Sequence, residues 1–169
     1  MSERDAEFVE FVQMRGPALR RTAFLMCGDW HRAEDVLQTA LIKLYRSWSR
    51  IRDTTAEAYA RQVVVRTLID ESRRFRWRRE RTTDTVPETV APAVEVEDGL
   101  DVRRALEQLP PRQRAVVVLR YWDDLSIEET ARVLGCAPGT VKSQAAKGLA
   151  ALRRLLAERQ DEYVLEGQR

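Results

Sequence analysis

The sequence predicts an all-α protein of two small helical domains joined by an extended acidic linker, and three observations carry that prediction. Apolar residues recur at helical spacing towards both ends of the chain, and no strand-like alternation of useful length interrupts them. A middle stretch rich in Pro, Thr and Val has no helical period at all. Charge divides along the same lines: residues 1–79 carry net +5, residues 80–101 net −6 and residues 102–169 net +3. Two basic blocks around an acidic connector suit two polyanion-binding domains and a spacer. The expected division is therefore residues 1–79, a linker over 80–98 and a second domain over 99–169.

In the first block Phe8, Phe11 and Val12, then Leu19, Ala23 and Met26 beyond Gly16-Pro17, keep a helical rhythm. Gly28-Asp29 breaks it, and Asp29 is placed to cap the next helix. There Ala33, Val36, Leu37, Ala40, Leu41 and Leu44 form an amphipathic face, with Asp35, Gln38, Thr39, Ile42 and Lys43 partly or wholly outside it. A loop at Arg52-Asp53-Thr54-Thr55 precedes a helix from Ala58 to about Arg79, whose inner face includes Val64, Val65, Leu68 and Ile69. Its end, Arg73-Arg74-Phe75-Arg76-Trp77-Arg78-Arg79, interleaves guanidinium groups with aromatic rings. That pattern suits phosphate contact with stacking on unpaired bases; a merely solvated charged face is the plain alternative.

The linker, TTDTVPETVAPAVEVED, is acidic and carries two prolines. A composition of that kind favours extended, solvated chain. In the second block Val102, Ala105, Leu106 and Leu109 mark a helix stopped by Pro110-Pro111; Arg112 to Trp122 forms another, and Asp123-Asp124-Leu125 turns the chain.

The most specific local pattern follows. Ser126-Ile127-Glu128-Glu129 is a capping box, with Ser126 accepting from the Glu129 N–H while Glu129 reaches back. Its short helix puts Ile127, Ala131 and Leu134 on one face and ends at Gly135, where the backbone must turn left-handed. Pro138 suits the start of the next helix. Along that helix Val141, Ala145, Leu149, Leu152 and Leu156 share one side. At about 100° per residue, Gly139, Thr140, Ser143, Ala146 and Lys147 point away from it, with Lys142 and Gln144 at the flanks. A face so small and polar can enter a major groove and offer donors to phosphates and base edges, so the pair reads as a helix-turn-helix. An ordinary helical hairpin with a wet outer face is the bland alternative.

Other function classes find little support. No run approaches the roughly 18 apolar residues of a membrane span, and the charged start MSERDAEF lacks the apolar stretch of a signal peptide. A cytoplasmic protein without membrane partners is expected. Cys27, Cys136 and His31 do not supply four-ligand zinc spacing, so reduced thiols and no metal or cofactor are expected. No phosphate-cradling glycine loop or nucleophile arrangement occurs, and Glu128-Glu129 and Asp123-Asp124 are explained by a cap and a turn, so no enzyme is expected.

Three stretches together resemble the extracytoplasmic-function sigma factors, and more narrowly their SigE-like subgroup. They are Gly28-Asp29-Trp30 through Ala33-Glu34-Asp35-Val36-Leu37-Gln38 to Leu44-Tyr45; Tyr59 through Asp70 to the arginine run; and Leu109-Pro110-Pro111-Arg112-Gln113-Arg114 through Gly139-Thr140-Val141-Lys142-Ser143 to Leu152-Arg153. The resemblance implies a minimal two-domain factor that binds core RNA polymerase and directs promoter recognition and opening. Sigma region two would occupy the first block, with Asp35, Gln38, Thr39, Ile42 and Lys43 towards the polymerase β′ coiled coil. Arg52, Asp53, Thr54, Tyr59, Arg61, Arg66, Asp70, Arg73, Arg74 and Arg76 would read and open the minus-ten element. Region four would dock on the β flap and place Gly139, Thr140, Lys142, Ser143, Gln144 and Lys147 in the minus-thirty-five major groove. The linker would thread towards the RNA path, the free protein would be a monomer, and an anti-sigma partner is plausible from the family. Thr39 and Leu41 stand where family members often carry Glu and an aromatic, Arg66 where many have Asn, and Gln144 where arginine is more usual. The competing reading is a stand-alone duplex-binding regulator that dimerises through its first block.

Overall fold

The computed structural model describes residues 2–51, 53–81 and 97–166, and these are α-helical apart from short turns, with no strand among them. Helix α1, Glu3–Cys27, opens on a capping box that the sequence reading had not picked out. Ser2 Oγ accepts from the Asp5 N–H at 3.2 Å and Asp5 Oδ2 from the Ser2 N–H at 3.0 Å. The helix runs straight through Pro17. Leu19, Ala23 and Met26 continue the face begun by Phe8 and Phe11, and packing of that face outweighs the single hydrogen bond a proline removes. At Gly28 the chain turns, and Asp29 Oδ1 accepts from the His31 and Arg32 N–H groups at 2.8 and 3.1 Å. That cap starts α2, Trp30–Ser47, which buries Ala33, Val36, Leu37, Ala40 and Leu44 as its pattern requires.

A 3-10 turn, Trp48–Arg50, leads into α3, Asp53–Arg81. The loop expected at Asp53-Thr54-Thr55 is instead the first turn of this helix, and Arg52 lies outside the described residues. The reason is packing: Ala56 and Ala60 extend the buried row of Val64 and Leu68 one turn and more towards the N-terminus, and small side chains let α3 approach closely. The helix also runs to Arg81 and α4, Glu97–Gln108, begins early, so two residues at each end of the expected linker are helical; residues 82–96 lie outside the described residues.

Ala105 and Leu106 of α4 and Leu109 just after it are buried, whereas Val102, expected beside them, is exposed. Next come α5, Pro111–Val117, and a π-helical turn, Val118–Trp122, in place of one regular helix. The Asp123 N–H reaches back five residues to Val118 O at 3.0 Å. This wider turn keeps Val116 through Leu119 inside while Tyr121 and Trp122 come out, at 54% and 55% exposure. Helix α6, Ile127–Leu134, and helix α7, Pro138–Glu166, complete the chain. Where α7 crosses α5, a Cβ on Gly148 would lie 2.8 Å from Val117 Cγ2 and 3.3 Å from Gln113 O, so only glycine lets these helices meet.

The two halves share one core. Leu106, Leu109, Val117, Val118, Leu119 and Val133 of the second half belong to the same buried cluster as Leu19, Leu37, Leu44, Val64 and Leu68 of the first. A smaller cluster, Val116, Ala131, Val141 and Ala145, holds α6 and α7 on α5. On the surface Phe24 and Trp30 stack with centroids 3.8 Å apart, Arg20 lies over Trp30 and Arg103 of α4 over Phe24, so this cluster also joins the halves.

Candidate nucleic-acid interface

The turn between α6 and α7 is set by local chemistry. Ser126 Oγ accepts from the Glu129 N–H at 3.1 Å and Glu129 Oε2 from the Ser126 N–H at 2.7 Å, the reciprocal cap that the spacing predicts. These bonds hold the Glu129 carboxyl below its ordinary range. At the other end Gly135 takes φ 64° and ψ 43°, the left-handed conformation that an L side chain resists. Val141, fully buried, then fixes the rotation of α7. Gly139, Thr140, Lys142, Ser143, Ala146 and Lys147 are exposed as a consequence, and Gln144 is half-buried. Ser143 Oγ donates to Thr140 O at 3.1 Å, so its lone pairs face outward while its proton is engaged within the helix.

On α2 the five residues outside the apolar stripe, Asp35, Gln38, Thr39, Ile42 and Lys43, are all exposed. Ile42 is 56% exposed among polar neighbours, an aliphatic knob suited to a protein partner rather than to nucleic acid.

The residues expected to meet the minus-ten element have diverse fates. Arg73, Arg74 and Asp70 are exposed on α3, and Phe75 is exposed beside the two arginines. Arg52 and the side chains of Asp53, Thr54 and Arg76 lie outside the described residues. Tyr59 is half-buried against the core. Arg61 departs most from the expectation. It donates to Glu57 Oε1 at 2.6 Å, and its Nε lies 3.2 Å from Asp123 Oδ2 with only 12% of the side chain exposed. Its positive charge is spent inside the protein. Arg66 is exposed but engaged, its Nε donating to Val133 O at 2.9 Å and its Nη2 to Arg132 O at 3.1 Å, on the last carbonyls of α6.

Three polar groups at this junction escaped the sequence reading. Asp123, read as part of a turn, is covered: Thr22 Oγ1 donates to its two oxygens at 2.8 and 3.0 Å, and the Arg61 ion pair flanks it. Burial pushes the Asp123 carboxyl up against the opposing pull of Thr22 and Arg61. Arg114 Nη1 donates to Met26 O at 2.7 Å and Nη2 to Glu107 O, and burial lowers the guanidinium from its usual value. Cys27 Sγ donates to Asp29 O at 3.2 Å, and its thiol is pushed up by burial. No group of three or more His, Cys, Asp or Glu side chains able to hold a metal occurs among the described residues.

The minus-ten and minus-thirty-five candidates are brought face to face. Arg66 and Asp70 of α3 line one side of a cleft of about 260 Å³, and Gly135, Thr140 and Gln144 line the other. Tyr59 and Arg61 face Leu125, Glu129 and Arg132 across a second cleft of about 570 Å³.

Family models described as Sigma-70 region 2 and Sigma-70, region 4 match residues 11–79 and 99–152. An RNA polymerase sigma-E factor of Streptomyces avermitilis is 40% identical over 161 residues, spanning 90% of this chain and 87% of that one. The ECF RNA polymerase sigma factor SigM of Mycobacterium tuberculosis is 36% identical over 139 residues, spanning 82% and 71% respectively. Among solved structures, the sigma factor RpoE in complex with the anti-sigma factor NepR from Bartonella quintana has a similar fold. Its TM-score is 0.76 over 89% of this chain and 97% of that one, at 24% identity.

Proposed function

Because this chain belongs to the extracytoplasmic-function sigma factors of the sigma-70 family, we propose that its surfaces divide the work of starting transcription as follows. As a sigma factor it binds core RNA polymerase and directs promoter recognition and opening. The working units are residues 1–79 for core docking and the minus-ten element, the acidic stretch 80–98 as connector, and residues 99–169 for the minus-thirty-five element. Asp35, Gln38, Thr39, Ile42 and Lys43 meet the β′ coiled coil, their exposure on one face of α2 supporting this. Thr140, Ser143 and Gln144 read base edges and Lys142 and Lys147 hold phosphates. Arg66, Arg73 and Arg74, with Asp70, serve the minus-ten strand as it unpairs. Opening captures an extruded base and breaks no covalent bond, at a cost of a few kcal/mol of unstacking drawn from binding. The protein acts in the cytoplasm as a monomer, without catalysis or a cofactor of its own. The Bartonella quintana sigma factor is held by an anti-sigma factor, and an inhibitory partner is proposed for this chain too.

The observation that carries this reading is the capped, left-turned junction that leaves the first turns of α7 small, polar and open. Core polymerase, promoter DNA and the purified chain test it. Together they are expected to form a salt-sensitive open complex, seen as thymines reactive to permanganate near the start site, while the chain alone binds duplex weakly. Tight binding of paired duplex sites by a dimer of the chain, unchanged by added core, would overturn it.

A further inference from the structure

A cleft between α3 and the corner where α4 meets α5 belongs to none of the surfaces assigned above. Its volume is about 470 Å³, inside the roughly 300–1,000 Å³ of small-ligand sites. Arg32 of α2 and Arg114 of α5 both line it. Burial and, less strongly, the nearby Arg32 charge lower the Arg114 guanidinium, so two mutually repelling cations share this space. Arg114 has neutral hydrogen-bond partners: Nη1 donates to Met26 O at 2.7 Å, and Nη2 to Glu107 O and, at 3.4 Å, to Leu109 O. Its Nε is buried with no partner, and the Glu107 carboxylate acts on it only through space. That carboxylate lies 3.8 Å from Arg103, while Arg32 gives Nε and Nη2 to Glu71 at 3.0 and 2.9 Å. Three guanidinium groups thus meet two carboxylates, Glu71 and Glu107, among the described residues. Phe75 of α3, about half exposed, and Pro110 and Pro111 supply apolar walls. Ser72 Oγ, whose proton goes to Leu68 O at 2.8 Å, keeps its lone pairs for a donor.

We propose that this cleft binds a free nucleoside diphosphate, with the phosphates on Arg114 and Arg32 and the base against Phe75. A largely buried guanidinium with no counter-ion in contact keeps the cost of its lost hydration. A phosphate removes that cost through charge-assisted bonds that suit the planar fork of arginine. A bare inorganic anion would leave Phe75 and the two prolines in water, whereas a planar base covers them, and any base has a face to stack. The lone pairs of Ser72 then accept from a ribose hydroxyl or a base amino group. The volume suits one nucleotide rather than a run of them, which favours a free nucleotide over a nucleic-acid strand. The site stands apart from the promoter reading: loss of that reading would show as no activation of core, with nucleotide binding unchanged.

Calorimetric titration of the full-length chain with ADP, GDP, inorganic pyrophosphate and a short oligothymidylate tests this. Each nucleotide should saturate a single site per chain at sub-millimolar concentration and raise the melting temperature. Pyrophosphate, which lacks the ring, should bind at least about tenfold more weakly. Arg32→Gln should weaken nucleotides and pyrophosphate alike, by about tenfold. Phe75→Ala should weaken the nucleotides alone and bring them down to the level of pyrophosphate. Both side chains are well exposed, so the fold tolerates these changes, and an unaltered melting temperature without ligand checks it. Arg154→Gln removes the same charge from the exposed later turns of α7 and should leave nucleotide binding as it was. Absence of saturable binding, pyrophosphate binding as tightly as the nucleotides, or equal losses in Arg154→Gln and Arg32→Gln would each overturn the proposal. So would an oligothymidylate that binds this cleft more tightly than either nucleotide, which would return it to promoter DNA.

Discussion

Whether a side chain on α7 reads sequence or merely holds DNA depends on where Val141 points. Val141 is fully buried and leaves Thr140, Ser143 and Lys147 exposed; in the function proposed above, Thr140 and Ser143 meet base edges and Lys147 a phosphate. Thr140→Ala or Ser143→Ala should therefore change which promoters are used, in a selection from randomised minus-thirty-five sequences. Lys147→Ala should weaken all promoters about equally and lower the salt slope by about one unit. A Lys147 variant with altered promoter choice would mean that α7 lies rolled on its axis. This rotation was readable in the sequence because Val141, Ala145, Leu149 and Leu152 state it four times over. The fate of Arg61 was not. An arginine on a basic helix looks the same whether it faces phosphate or a carboxylate from a hundred residues away, and here Asp123 claims it.

Helix boundaries divide in the same manner between local and distant causes. The caps at Asp29 and Ser126 involve partners within three residues, so spacing alone foretold them. Ser126→Ala removes the reciprocal bonds that start α6 and should cost about 1 kcal/mol, read as a lower denaturant midpoint with an unchanged slope. If the midpoint holds, the cap contributes nothing that water does not replace. The start of α3 and the π-helical turn had no such local signal. Asp53-Thr54-Thr55 has the composition of a loop, and it becomes helix because the alanine row behind it packs on α1 and α2. At Val118 the ladder widens, with the Asp123 N–H reaching back to Val118 O, and the apolar run Ala115 to Leu119 is buried on both sides of that change without a local signal that marks it.

At the scale of the molecule, the sequence foretold two helical units and left open that they share a core. The residues that join them, Leu106, Leu109, Val118 and Leu119, are also those any four-helix unit would bury on its own account, so periodicity could not tell one use from the other. One consequence can be measured. Leu119 is fully enclosed, and Leu119→Ala should cost 2–5 kcal/mol. The loss should appear as a single shifted transition, with probes in α2 and α7 moving together; two separate melts would show halves that fold independently. The surface cluster of Phe24, Trp30, Arg20 and Arg103 has a different use. Its indole sits against a ring from α1 while a guanidinium from α4 covers that ring's neighbourhood, so the optical state of Trp30 depends on both halves being in place. Parting them strips one layer of that sandwich and should alter the emission of a native tryptophan, giving the protein an unlabelled gauge of its own separation as each assembly step proceeds.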